Sequence, residues 1–421
     1  MKYREYLRSF QFARALRSRS FALLWMGQTI SVLGDAAFYP ALAWQVLILT
    51  DSGTAMGIVE IAQMIPTLAF LLIGGTLADR VSRRLILLWS DVGRAVVVLL
   101  IAGLGWFHLL QFWHLVALAF LFGIVGSLFL PTMQAIPPQL VEKEQLTSAN
   151  ALTTLSQRIS LIVGPLLGAG FVAATGPAGA FAFDGLTFIF SALCLLAIRL
   201  PATVRSQNEP GNASGILKTL FEDVRDGVCY LASVRWLWIG VMIGAAENIS
   251  FAATLGAAEP RLVRDVYGAG VWLFSILLMA NSIGVLVATL ALGQVHLRRR
   301  RGVLMLAAEM VTALVLGVFG LPLSRASAPV IASVATLVFG LGMGTSGLVW
   351  TTLTQELVPG DKMGRISSVQ MLGSFGLMPL GLAAGGILTD RIGPSLVFIA
   401  GGMLNLLVAA VGLCVRDVRR L

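Results

Sequence analysis

Long apolar runs, broken by short polar turns, recur along this chain from residue 21 to residue 415. A helix that crosses a bilayer needs ~20 apolar residues. By that measure the pattern predicts twelve spans, at about 21–49, 56–78, 85–106, 115–137, 148–174, 180–199, 235–258, 270–294, 302–322, 329–352, 366–389 and 394–415. Residues 1–20 form a basic amphipathic lead. Only residues 200–233 break the rhythm for long. They hold a polar stretch and then an amphipathic helix, with Leu217, Leu220, Phe221, Val224, Val228 and Leu231 at helical spacing. The expected organisation is a six-helix bundle over 1–200, a cytoplasmic linker over 201–233 and a second six-helix bundle over 234–421.

Composition agrees with a polytopic membrane protein. Hydrophobic residues make up 57% of the chain and charged residues 12%, about half the charge of a soluble domain. The net charge of +9 reflects topology. Of 30 Lys and Arg, 24 fall in alternate loops and the termini, two within spans and four in the opposite loops. Positive loops stay inside, which puts both termini in the cytoplasm against anionic headgroups and argues against a nucleic-acid partner. The basic N-terminus runs into a full span without a small-residue cleavage site, so it reads as an uncleaved first helix. Cys194, Cys229 and Cys414 form no disulfide framework and no metal spacing. His108, His114 and His296 lie at interfaces without metal spacing, which argues against an enzyme. No phosphate-binding Gly-x-x-x-x-Gly-Lys-Ser/Thr loop is present, so no cofactor is expected and direct ATP drive is not.

The two halves share features. Asn150 to Pro165 and Arg365 to Pro379 each open a span from an inner polar loop and place a proline 14 or 15 residues on. Gly176-Pro177 and Gly393-Pro394 follow as turns. A repeat of this kind implies a pseudo-twofold pair of bundles with substrate bound near mid-membrane.

Between spans two and three the chain reads Gly75-Thr-Leu-Ala-Asp79-Arg80-Val-Ser82-Arg83-Arg84. This resembles the signature loop of the major facilitator superfamily, with Ser82 where that loop has glycine. Gly164-Pro165-Leu-Leu-Gly168 looks like the superfamily's antiporter signature, with Ser160 and Ala169 in place of two glycines of the fuller motif. Leu24-Trp25-x-Gly27-Gln28-x-Ile30-Ser31-x-Leu33-Gly34-Asp35 and Asp184-x-x-Thr187-Phe188 are similar to a 12-span drug/proton antiporter branch. That branch includes macrolide-efflux, Tap-type and enterobactin exporters. The resemblance implies an all-α fold of two six-helix bundles in the plasma (inner) membrane. It also implies that Asp79 stabilises an inward-closed state, with Gly75, Arg80, Arg83 and Arg84 completing the latch.

Charges inside spans are costly, so each is a candidate. Asp35 lies ~15 Å beyond Trp25 along its helix; it either takes up a proton as cargo leaves or is held in a permanent pair. Arg158 either neutralises Asp35, attracts an anionic group or makes a structural ion pair. Glu247, beside Asn248, is the best acid of the second half for coupling or substrate binding. Glu60 is either a gate or a solvated interfacial acid. Asp91 and Arg94, three residues apart, share a helix face and suit an ion pair behind the latch. Glu309 reads as structural and Asp184 as an outer helix-end group. The function implied is export of amphipathic small molecules by a monomeric, proton-driven secondary carrier. A dedicated exporter of one metabolite, such as a siderophore or lysolipid, is the alternative.

Overall fold

The protein is seen in a computed structural model, which describes residues 14–78, 82–198, 225–295, 300–360 and 362–419. Asp79, Arg80 and most of the expected linker lie outside these residues. Regular structure among the described residues is helical throughout. The order is α1 (Arg19–Thr50), α2 (Gly53–Ala78), α3 (Arg83–Trp106), α4 (Phe112–Gly126), α5 (Leu146–Thr175), α6 (Pro177–Ala197), α7 (Arg235–Phe251), α8 (Val271–Gly293), α9 (Arg301–Phe319), α10 (Ala328–Leu357), α11 (Met363–Phe375), α12 (Met378–Ile392) and α13 (Pro394–Cys414). Helix is the natural choice in lipid, because it satisfies every backbone amide and carbonyl within the segment.

Among the described residues, eleven helical stretches are long and apolar enough to cross a membrane. This is a multi-pass membrane protein. Its surface fits that medium: Trp89, Phe107, Val330 and Met403 are more than half exposed, as side chains facing acyl tails can be.

The expected fourth span, 115–137, is not one helix. α4 ends at Gly126, and a separate short helix, Phe129–Ala135, follows. Ser127 turns its own amide and hydroxyl back to the Ile124 carbonyl, at 3.3 and 2.7 Å. Pro131, in the following helix, offers no amide to the Ser127 carbonyl, so one rung of the hydrogen-bond ladder is missing at this break. The eleventh span is also divided, with Gly376 and Leu377 between α11 and α12. The seventh continues past Phe251 as two wide π-turns, Ala252–Ala258 and Leu262–Val266. Gly176 and Gly393 both hold a left-handed φ, 75° and 85°, where each chain end turns sharply into a proline-led helix.

Two compact units are present. Unit 1 comprises residues 1–51, 58–203 and 270–279; unit 2 comprises 52–57, 204–269 and 280–421. In unit 1, α1 packs on α5 and α6, and α3 packs on α6. Phe21, Leu24, Leu87, Ile136 and Leu195 form a buried cluster at one end. In unit 2, α9 packs on α10 and α13, while the first π-turn packs on α12. Ile243, Leu306, Val349 and Leu353 form its main apolar cluster.

Candidate functional site

Unit 1 gathers four charged side chains from three helices. On α3, Arg94 donates through Nη2 to Asp91 Oδ1, one turn away. Asp35, from the middle of α1, brings Oδ2 to 3.6 Å from Arg94 Nη1. Asp184 of α6 is fully buried beside α1; a Cβ placed on Gly34 would fall 2.4 Å from its Oδ1. Ser191, also on α6, donates to Asp91 Oδ2 at 2.6 Å and accepts from Gln28 Nε2 of α1 at 2.9 Å. The Arg94 guanidinium carbon sits 4.2 Å from the Phe129 ring centre and 4.3 Å from that of Phe188, a cation–π arrangement. Two carboxyls therefore share one guanidinium, and a third, Asp184, is buried nearby with its Oδ2 unpartnered.

Local sequence explains the assembly. Gly27 and Gly34, two turns apart on α1, leave no side chain against Asp184, Thr187, Ser191 and Cys194 of α6. The antiporter-type residues act on the opposite face of α1. A Cβ on Gly164 would meet Ala36 at 2.4 Å, and one on Gly168 would meet the Ala37 carbonyl at 2.3 Å. Pro165 lies between them within α5. Asp35 is thus held on a helix clasped from two sides. It is also the least sealed acid of the three, with its side chain 37% exposed against none for Asp91.

Two sequence expectations are corrected here. Asp35 is paired with Arg94, whereas Arg158 is half-buried on α5 with no ion-pair partner among the described residues. Asp184 is no helix-end group: it lies seven residues into α6, or ~10 Å, and is 0% exposed. Glu60 on α2 stands apart from the cluster, with Oε1 buried and without a hydrogen-bond partner. Of the latch residues, Gly75 lies in α2. Arg83 donates to the Ala135 carbonyl at 2.7 Å, and Arg84 donates to the Leu195 and Leu196 carbonyls, each at 2.7 Å. Both arginines therefore cap helix C-termini, where carbonyls lack intrahelical partners.

Unit 2 has its own polar centre. Glu247 and Asn248 of α7 and Glu309 of α9 line one open cavity of about 520 Å³, with residues of α10 and α11 along its other walls. Glu309, read from sequence as structural, faces this cavity and accepts from Ser346 Oγ at 2.8 Å.

A second polar knot in unit 2 escaped sequence reading. Asp390, at the end of α12, accepts from the backbone amides of Gly53 and Thr54 at 2.7 and 3.0 Å and from Ser52 Oγ at 2.6 Å. Arg261 donates to the same carboxylate at 2.7 Å and to Asp265 at 2.9 Å. Asp390 is therefore the N-terminal cap of α2. A signal for it existed: Gly-Gly-x-Leu-x-Asp-Arg occurs at 74–80 and again at 385–391.

A family model described as Major Facilitator Superfamily matches residues 24–379. The chain belongs to the Major Facilitator Superfamily. Macrolide efflux protein A of Streptococcus pyogenes is 23% identical over 401 residues, covering 95% of this chain and 97% of that protein. Enterobactin exporter EntS of Citrobacter koseri is 26% identical over 409 residues, covering 93% and 87%. A solved bacterial homologue of the iron transporter ferroportin, in an inward-facing state, aligns with a TM-score of 0.71 at 15% identity, over 94% of this chain and 98% of that one. At that identity the likeness concerns the fold. This Major Facilitator Superfamily member is a transporter with efflux-type relatives, and not an enzyme.

Proposed function

We propose that this protein exports amphipathic small molecules across the plasma (inner) membrane, with both termini cytoplasmic, by exchanging them for protons through alternating access. The observation that carries the reading is the pairing of Asp35 and Asp91 with the single Arg94, with a third buried acid, Asp184, packed against Gly34 on the helix that carries Asp35. One guanidinium balances one carboxylate. The remaining acids sit where an uncompensated charge costs several kcal/mol, so proton binding is the available way to neutralise them. Asp35 is the member with a route to exchange, being partly exposed, whereas Asp91 and Asp184 are sealed. Protonating it removes its attraction to Arg94 and alters what holds α1 to α3. A ligand that biases such an equilibrium shifts which state is populated.

The energetics suffice. One proton moving down 100 mV releases about 2.3 kcal/mol, enough to sustain roughly a 50-fold gradient of a neutral cargo. The efflux names of the relatives support the outward direction. The test is uptake into inverted vesicles on imposing an acid-inside gradient, with the parent compared against Asp35→Asn. The parent should accumulate dye and the variant should bind it without accumulation. Accumulation by Asp35→Asn equal to the parent's removes Asp35 from the coupling step. A parent that accumulates none of several unrelated dyes, but one metabolite only, supports the dedicated exporter instead.

A further inference from the structure

The two units handle their buried acids differently. In unit 1, Asp35 and Asp91 flank Arg94. In unit 2, Glu247 and Glu309 line one cavity, and among the described residues no Lys, Arg or His lines it with them. Glu309 is 5% exposed, and its Oε2 has no hydrogen-bond partner; Glu247 Oε1 is likewise buried without one. The nearest arginine on α9, Arg301, is already paired with Glu356. Native proteins seldom leave buried polar atoms unsatisfied. Two acids with unpartnered acceptor atoms on one cavity wall suit a donor of positive charge.

The rest of the wall states what kind of cation fits. Trp350, Phe251 and Phe375 supply aromatic faces, and Met305, Met343 and Met371 supply adaptable thioethers. Trp350 is held in place: its ring packs against Gly240, where a Cβ would fall 2.2 Å away, and against Trp236 at 6.0 Å. Aromatic faces attract cations, and methionine surfaces accept varied shapes. A volume of about 520 Å³ lies within the usual range for drug-sized ligands. A metal ion is a poor match for so wide and apolar a chamber.

Building on the export reading above, we infer that the unit 2 cavity is a binding site for lipophilic organic cations, with Glu247 and Glu309 as counter-ions and Trp350 and Phe251 as the apolar wall. Charge selection then belongs to unit 2, while Asp35 and Arg94 in unit 1 serve the proton.

The probe is tetraphenylphosphonium, a permanent cation, set against tetraphenylborate, an anion of nearly the same shape. Binding of each to the purified full-length protein in nanodiscs is measured at equilibrium. Tetraphenylphosphonium should bind saturably and tetraphenylborate at least about tenfold more weakly. Glu247→Gln and Glu309→Gln should each weaken the cation by about tenfold. Equal binding of the two ions by the parent overturns the inference, and that comparison needs no variant to fold. Unchanged cation affinity in a folded Glu247→Gln/Glu309→Gln double variant overturns it as well. Cation binding without gradient-driven uptake in inverted vesicles keeps this site and sinks the export reading. Gradient-driven export of other cargo without cation binding does the reverse.

Discussion

Arg94 Nη1 stands 3.6 Å from Asp35 Oδ2 while its Nη2 is bonded to Asp91. One side chain therefore ties the middle of α1 to α3. Removing it leaves buried carboxyls without a counter-charge, the most damaging way to break a buried pair. Arg94→Ala should destabilise the protein by about 3–5 kcal/mol, read as a large drop in thermal unfolding temperature in detergent. Arg94→Lys should lose less, since it keeps the charge but not the planar contacts with Phe129 and Phe188. A parent-like melting curve for Arg94→Ala would show that the acids do not depend on it.

Gly34 decides how close α1 comes to α6. A methyl group there would fall 2.2 Å from Thr187 Oγ1 and 2.4 Å from Asp184 Oδ1. Gly34→Ala should cost about 1–3 kcal/mol by overpacking. Thr187→Ala in the same chain should restore only part of it, because the Asp184 contact persists. Full recovery in the double variant would place the strain on Thr187 alone.

Asp390 satisfies two amides that α2 cannot bond internally. Asp390→Ala should cost about 1–2 kcal/mol, at the low end because its side chain is 28% exposed. Hydrogen exchange reads this locally: amides 53–55 should exchange faster in the variant, with those of α5 unchanged. Uniform acceleration would mean global destabilisation.

Much of this was legible in the residues themselves. Length and hydropathy locate spans, because lipid forces every span to be a helix of fixed minimum length. The spacing of Asp91 and Arg94 puts them on one face without any knowledge of the fold. Hydropathy yields depth along a helix, but not which neighbour a side chain turns toward. Arg158 and Arg94 both lie within spans, and only packing shows that α3, not α5, carries the arginine that meets Asp35. Asp184 was misplaced because α6 begins at Pro177, which puts the acid two turns inside rather than at the mouth. Asp390 was legible as a repeat of the Gly-Gly-x-Leu-x-Asp-Arg string, but its role as a cap depends on a helix start more than three hundred residues earlier.

The π-turn at Ala252–Ala258 amounts to spare chain length stored inside a span. A one-residue deletion in an ordinary α-helix swings everything beyond it by about 100°. Within a wide turn the same deletion tightens the backbone toward α-geometry and leaves the downstream face where it was. Shortening this stretch by one alanine should therefore yield folded protein, whereas losing one residue from the centre of α9 should not. If so, this span holds a built-in tolerance to length change.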